Sequence, residues 1–427
     1  MGVSSHGPLA GVRVIELGQL IAGPYCGQLL GDFGADVVKL EAPGAGDPMR
    51  RWGVIHEGKS LSWAVFGRNK RCIAADLHSA EGRDLAQRLI DVADVVVENF
   101  RPGTLERLGI GYEEMSARNP GIVYVRMSGY GQHGPYSPRA GYGSIGEAMG
   151  GLRYISGEPD RAPSRIGISI GDELAGLHGA LGALMALRAR AETGRGQVVD
   201  VSIYESVLAL SEALIPEYAL AGVIRQRTGA VLPHIAPSNL YPTADGEHIL
   251  IAANQDTVFR RLAEAMGRPG LATDPRYATH VARGDHQAEL DDVIADWAVA
   301  RTTEALLEHL ERHGVPAGRL YRAPDMLADP HFAARESIVT VHDEDLGLIP
   351  MPNVAPQLSQ TPGEVRWPGP GHNAHYAEVV GEWLGPQAGS PEDAPPAADP
   401  PAPDPPAPDP PAPDPPAPDP PAPDPPA

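Results

Sequence analysis

Basic residues are scarce in this 427-residue chain: 34 Lys and Arg stand against 55 Asp and Glu, for a formal net charge of −21. Binding to a phosphate backbone needs a basic face, so this balance disfavours nucleic acid as a partner. Cysteine is nearly absent. Cys26 and Cys72 cannot build a disulfide framework, and their spacing matches no zinc motif. Two core thiols in a reducing compartment are the simpler expectation. Apolar runs stay well short of the roughly 20 residues that span a bilayer. The segment Met1-Gly2-Val3-Ser4-Ser5-His6-Gly7 has no basic stretch leading into an apolar core, as a secretory signal would. The expectation is a soluble cytoplasmic protein with no membrane partner.

Several familiar motifs are missing too. There is no G-x-x-x-x-G-K-[ST], so no P-loop. Gly18-Gln19-Leu20-Ile21-Ala22-Gly23 is not a dinucleotide fingerprint. Tyr142 stands where a nucleophile elbow around Ser144 would need Gly. The 15 histidines form no H-E-x-x-H pattern, so no metal site is expected.

Proline and acid concentrate at the end. From Asp399 to Ala427 the chain repeats Asp-Pro-Pro-Ala-Pro, and from Pro391 onward there are seven Asp, one Glu and no Lys or Arg. Those eight charges leave −13 on residues 1–390. Residues 391–427 hold no apolar side chain larger than Ala or Pro and few backbone donors, which predicts a disordered, extended tail.

The first 200 residues alternate apolar strands with helical stretches. Strands are expected at Val12–Leu17, Ala35–Leu40, Arg71–Ala75, Asp94–Val97, Ile122–Val125 and Val198–Ser202. Helical spacing runs up to Gly34 and over Ala80–Val92, and a long helix rich in Ala and Gly covers about Gly171–Arg190. Ala175, Gly176, Gly179, Ala180 and Gly182 on it suggest close packing against another element. This is the pattern of an α/β fold with a parallel sheet covered on both faces. Texture changes after about residue 225, with a strand at His248–Ala252 and amphipathic helices over Val258–Met266, His286–Ala298 and Thr303–His313. Residues 225–325 therefore read as a smaller domain, with 326–385 returning to the first.

Three features could carry chemistry. Asp172 opens the long helix in Ile168-Ser169-Ile170-Gly171-Asp172-Glu173, with Ser169 as its cap. It reads either as a first-turn carboxylate favoured by the helix dipole or as a nucleophile held by a glycine-led turn. Arg68-Asn69-Lys70-Arg71, with Arg107 further on, reads either as solvated surface charge or as a site for ligand phosphates. The glycine-rich stretch Ser128–Pro135 follows a strand, where a structural turn and a binding loop are both open.

Taken in order, Leu9-Ala10-Gly11-Val12-Arg13-Val14, Ala22-Gly23-Pro24, Gly34–Glu41, Arg68–Arg71, Glu98-Asn99-Phe100-Arg101-Pro102-Gly103 and Thr193-Gly194-Arg195-Gly196-Gln197 resemble the class III CoA-transferase family, which includes formyl-CoA transferase and the carnitine CoA-transferases. The resemblance covers roughly residues 8–385. It implies a Rossmann-like large catalytic domain over 8–224, a smaller α+β domain over 225–325, and an interlocked homodimer. It further implies that Asp172 is the nucleophile and that Ile21, Ala22, Ala75, Asp76, Leu77, His78, Asn99, Phe100 and Arg107 hold CoA. Ala42 and Ala140 depart from basic residues of formyl-CoA transferase, so phosphate contacts differ in detail.

For such an enzyme no cofactor is needed, because one thioester replaces another. Asp172 would attack the acyl-CoA carbonyl to form an anhydride, and the released thiolate would convert it to an aspartyl-CoA thioester; a carboxylic acid acceptor then reverses both steps. Backbone N–H groups of the glycine loops would stabilise the oxyanions. Tyr142 would close the acyl pocket. The alternatives are an α-methylacyl-CoA racemase, which would need a histidine where Tyr142 follows Ala140-Gly141, and a non-catalytic CoA-binding scaffold. The stretch Gly150–Asp160 is similar to members that use succinyl-CoA and small di- or hydroxy-acids.

Overall fold

The computed structural model describes residues 7–385. The proline-rich tail expected from 391 and the segment Met1–His6 lie outside the described residues.

Six strands form the central sheet: β1 (Arg13–Glu16), β2 (Asp36–Glu41), β3 (Lys70–Ala74), β4 (Val95–Glu98), β5 (Val123–Ser128) and β6 (Val198–Ser202). All neighbours are parallel, in the order β3-β2-β1-β4-β5-β6. The helices that cover this sheet or border its carboxyl edge include α1 (Ala22–Asp32), α2 (Ala80–Asp91), α3 (Gly143–Met149) and α4 (Ile170–Thr193). Alternate side chains of each strand point to opposite faces. Ile15, Val38, Ile73, Val96 and Tyr124 pack beneath Leu85, Leu89 and Ile90 of α2. Val14, Val37, Val95, Val97 and Val125 pack on the other face, against Cys26 and Leu30 of α1 and Ala180, Ala183 and Ala186 of α4. Two buried faces explain why these strands read as nearly continuous apolar runs.

Strand order reverses between β1 and β4. At such a point the loops leaving the two strands diverge, one to each face, and open a crevice at the carboxyl edge.

Further along, Ser238–Pro242, His248–Ala252 and Ala317–Arg319 form an antiparallel sheet with its own core of Tyr241, Ile249, Phe259, Leu262, Leu290, Ile294, Leu306 and Leu310. Toward the end, the chain runs back along β3. Trp367 Nε1 donates to the Lys70 carbonyl at 2.9 Å, and Asn373 Oδ1 accepts the Ala74 N–H at 2.8 Å. Among the described residues, no helix is long and apolar enough to cross a membrane.

Both readings of Arg68–Arg71 require correction. These residues are buried in ion pairs. Arg68 pairs with Asp32 at 2.5 Å, Lys70 with Glu16 at 2.8 Å, and Arg71 with Asp36 at 2.6 Å and Glu382 at 2.8 Å. They sit where β3 begins, away from the carboxyl edge, and every guanidinium and ammonium group there already has an internal carboxylate. A second correction concerns Ser169, which occupies the N-cap of α4 without making a side-chain cap bond. Its Oγ instead accepts from Arg165 at 3.3 Å.

Candidate active site

The carboxyl edge of the sheet collects most of the residues expected to act. Ile21 and Ala22 lie where the turn after β1 enters α1, and both are buried. Asn99, directly after β4, clamps that turn: its Oδ1 accepts the Gln19 N–H and its Nδ2 donates to the Gln19 carbonyl, each at 2.8 Å. Asn99 thus ties the two loops that flank the switch point. Phe100 follows, its N–H donating to Glu98 Oε2 at 2.7 Å.

The remaining expected CoA contacts spread from this centre. Ala75 is buried at the end of β3, whereas Asp76 and His78 are exposed and Leu77 partly buried. Leu77 and Phe100 pack on the same apolar layer. Arg107 is exposed on the short helix Thr104–Arg107, with one bond to Thr104 Oγ1 at 3.0 Å.

The glycine-rich loop after β5 is built differently from the expectation. The Gly131 N–H donates to Ser128 Oγ at 2.9 Å, and the Gln132 N–H is shared between the Asp200 oxygens at 3.0 and 3.1 Å. Those two donors are occupied, so they are not free to meet an oxyanion. The neighbouring Gly129 lies against Gly141, which brings Tyr142 and α3 to this edge. Tyr142 is 70% exposed at the N-cap of α3.

Asp172 is the third residue of α4, in its first turn, two residues after Ile170. Its carboxylate lies on the backbone of Gly143: a Cβ on Gly143 would come within 2.1 Å of Asp172 Oδ2, so a side chain there would displace the carboxylate. One turn along α4, a Cβ on Gly176 would lie 2.8 Å from the Ala22 carbonyl and 3.0 Å from the Tyr25 ring. A helical turn rises 5.4 Å. The small-residue face expected on α4 therefore seats the helix on α1 and brings Asp172 within about one turn of Ala22.

Burial, followed by the like charge of Glu147, pushes the Asp172 carboxyl up from 3.8 to about 6, with Glu173 adding to it and Arg165 opposing. The N-terminus of α4 favours the ionised form, yet burial and repulsion outweigh it. A carboxylate of this kind is basic and poorly solvated, which is what a nucleophile needs near neutral pH. Glu147 and Arg153, which sequence reasoning missed, bond to each other here, with Arg153 Nε donating to Glu147 Oε2 at 2.8 Å.

With this geometry in hand, comparison with known proteins is specific. The family model for CoA-transferase family III matches residues 9–376, and the chain belongs to that family. It is similar to the succinyl-CoA–D-citramalate CoA-transferase of Chloroflexus aurantiacus, at 60% identity over 88% of this chain and 94% of that one. The succinyl-CoA–L-malate CoA-transferase beta subunit of the same organism is 41% identical over 90% and 96%. A crystal structure of a CAIB/BAIF family protein from Brucella suis superposes with a TM-score of 0.79 at 36% identity, covering 88% of this chain and all of the other. The chain is a CoA-transferase.

Proposed function

We propose that the enzyme moves CoA from succinyl-CoA to a small dicarboxylic or hydroxydicarboxylic acid through covalent intermediates on Asp172. The observation that carries this reading is the seat of the Asp172 carboxylate against Gly143, one helical turn from Ala22. The relatives named for succinyl-CoA, citramalate and malate support the substrate class.

In the first step an Asp172 oxygen attacks the thioester carbonyl; a C–O bond forms, the C–S bond breaks, and CoA leaves as thiolate. The thiolate then attacks the aspartyl carbonyl and expels the acyl group as its carboxylate, leaving an aspartyl-CoA thioester. The acceptor acid runs both steps in reverse. Over the two steps one C–S bond breaks and one forms, and one C–O bond forms and one breaks, so one thioester replaces another with no need of ATP or a redox cofactor. Ile21, Ala22, Ala75–His78, Asn99, Phe100 and Arg107 would hold the nucleotide end, whose binding energy is used at the distant carbonyl.

The reading includes an interlocked, cytoplasmic homodimer, with residues 225–325 as a smaller domain. In support, α4 leaves Leu177, Leu181, Leu184 and Met185 more than two-fifths exposed on a single chain.

A panel of acyl-CoA donors and carboxylate acceptors, read by mass spectrometry, tests the substrate class. Succinyl-CoA with citramalate or malate should lead, and an exclusive preference for monocarboxylic pairs would overturn it. A second test addresses the residue beside the nucleophile. A tyrosine, with an ordinary pKa of about 10, is a poor base toward carbon near neutral pH. Incubation with a chiral 2-methylacyl-CoA in deuterium oxide should leave the α-carbon undeuterated. Tyr142→Phe should weaken transfer by about 1 kcal/mol, the worth of one neutral hydrogen bond. Rapid α-deuteration without transfer would instead indicate racemase chemistry.

A further inference from the structure

Glu147 is an unusual residue to find beside a nucleophile. It is 1% exposed, and its Oε1 is buried without a hydrogen-bond partner among the described residues. Only Oε2 is met, by Arg153 Nε at 2.8 Å. Glu147 falls four residues after Gly143 on α3, hence on the same face one turn away. Gly143 carries the Asp172 carboxylate, and a Cβ on Gly171 would touch Glu147 Cγ at 3.1 Å. One carboxylate therefore leans on the first turn of this short helix and the other projects from its second, where solvent screening is weak.

We infer that Glu147, ion-paired with Arg153, is a positioning residue that presses negative charge toward Asp172 and so favours the acylated states of the nucleophile. The inference rests on the reading of Asp172 as the nucleophile. When Asp172 attacks the thioester, the new C–O bond uses its electron pair, the C–S pair leaves on sulfur, and the negative charge moves from Asp172 to the thiolate. When the thiolate returns to the aspartyl carbonyl, the charge departs on the acyl carboxylate. Asp172 is neutral in both intermediates. An anion that cannot move away raises the free carboxylate relative to both, and leaves them untouched.

The groups facing Asp172 are few. Glu147 comes from α3, Arg165 from the segment before α4, and Glu173 from α4 itself; Glu147 and Glu173 raise its pKa and Arg165 lowers it. Burial and Glu147 are the leading causes of the raised carboxyl, in keeping with this arrangement.

Glu147→Gln keeps the shape and removes the charge. The measurement is single-turnover formation of the Asp172–CoA adduct from succinyl-CoA, followed across pH by intact and peptide mass. In E147Q the maximal rate should fall about tenfold, with the acid limb moved down by about half a unit or more. Apparent affinity for succinyl-CoA should stay within about twofold, since Glu147 touches no proposed CoA contact. Glu147→Asp keeps the charge and should hold the acid limb near the wild-type position. An E147Q protein with wild-type rate and limb overturns the inference, as does an E147D limb displaced as far as that of E147Q. Should E147Q fail to fold, E147D decides alone: a limb lowered by about half a unit overturns the inference, and an unmoved limb supports it. A wild-type enzyme that forms no adduct on Asp172 overturns the nucleophile reading itself. Adduct in the wild type with an unmoved E147Q limb overturns only the role of Glu147.

Discussion

Asp172→Asn is expected to abolish CoA transfer, by roughly 10⁴-fold or more, while leaving the fold intact. The amide matches the carboxylate in size, so it fits the space over Gly143, but it cannot form the anhydride. With the wild-type enzyme, hydroxylamine should inactivate only after acyl-CoA is added, because it intercepts the aspartyl thioester. Peptide mapping should then place a hydroxamate on residue 172. A modification elsewhere, or none, would sink the mechanism. The pH profile of the wild type carries the same information. The carboxylate is the reactive form, so kcat/KM should fall below about pH 6, where burial and Glu147 place its ionisation. The same shift has a sign for stability. In the folded state Asp172 keeps its proton to about pH 6, whereas the unfolded chain releases it near 3.8. Folding therefore loses stability as pH rises between these values. Asp172→Asn lacks that penalty, so at pH 8 its Tm should equal or exceed that of the wild type.

How much of the fold and the site is legible in the sequence differs by residue. The sheet is readable because strands buried on both faces cannot alternate with polar residues, and Val37-Val38 or Val95-Val96-Val97 advertise that directly. Asp172 stays ambiguous: a carboxylate in the first turn of a helix is ordinary until Gly143 is seen beneath it. Arg68–Arg71 misleads because its partners are remote in sequence; Asp32, Asp36 and Glu16 come near only once three strands are paired. One signal does point to them. Lys39 and Glu16 interrupt strands that are otherwise apolar, and a charge in a doubly covered strand needs a buried partner. Glu147 carries no such signal, since its burial depends on how α3 meets Gly171.

Those two interrupting charges set the largest expected effect on stability, that of Lys39→Met. Lys39 is fully buried; its Nζ donates to Glu16 Oε1 at 2.8 Å and to the Gly18 carbonyl at 2.6 Å, and pairs with Asp47 Oδ2 at 2.8 Å. Lys70 supplies the second cation, to Glu16 at 2.8 Å and the Pro24 carbonyl at 2.6 Å. Asp47 in turn accepts the N–H of Leu20, which sits at φ 63°, from 3.1 Å. Two anions and two cations thus balance beneath the Gly18–Pro24 turn, and Lys39, Lys70 and Asp47 also fix its backbone. Burial works against the Lys39 charge, but Glu16, Asp47 and Glu41 outweigh it and hold its pKa above the usual lysine range. Stability from such a group is fully present at all pH values below about 10 and is lost only as pH climbs through the folded value. Methionine fills the space and leaves two buried carboxylates facing one ammonium. Stranding one charge in this way costs roughly 3–5 kcal/mol, which corresponds to a Tm lower by roughly 10 °C. By contrast Arg188→Met, which removes the solvent-exposed partner of Glu192 on α4, should shift Tm by less than about 2 °C. Because Gly18 loses its anchor and Asp47, which anchors Leu20, loses its cation, the surviving folded Lys39→Met enzyme should also show a KM for succinyl-CoA raised about tenfold, with kcat less affected. Calorimetry at pH 8 and steady-state kinetics on the same preparation check both. A Tm within about 2 °C of the wild type would mean that water or a proton replaces the lysine, and that the turn before α1 stands without it.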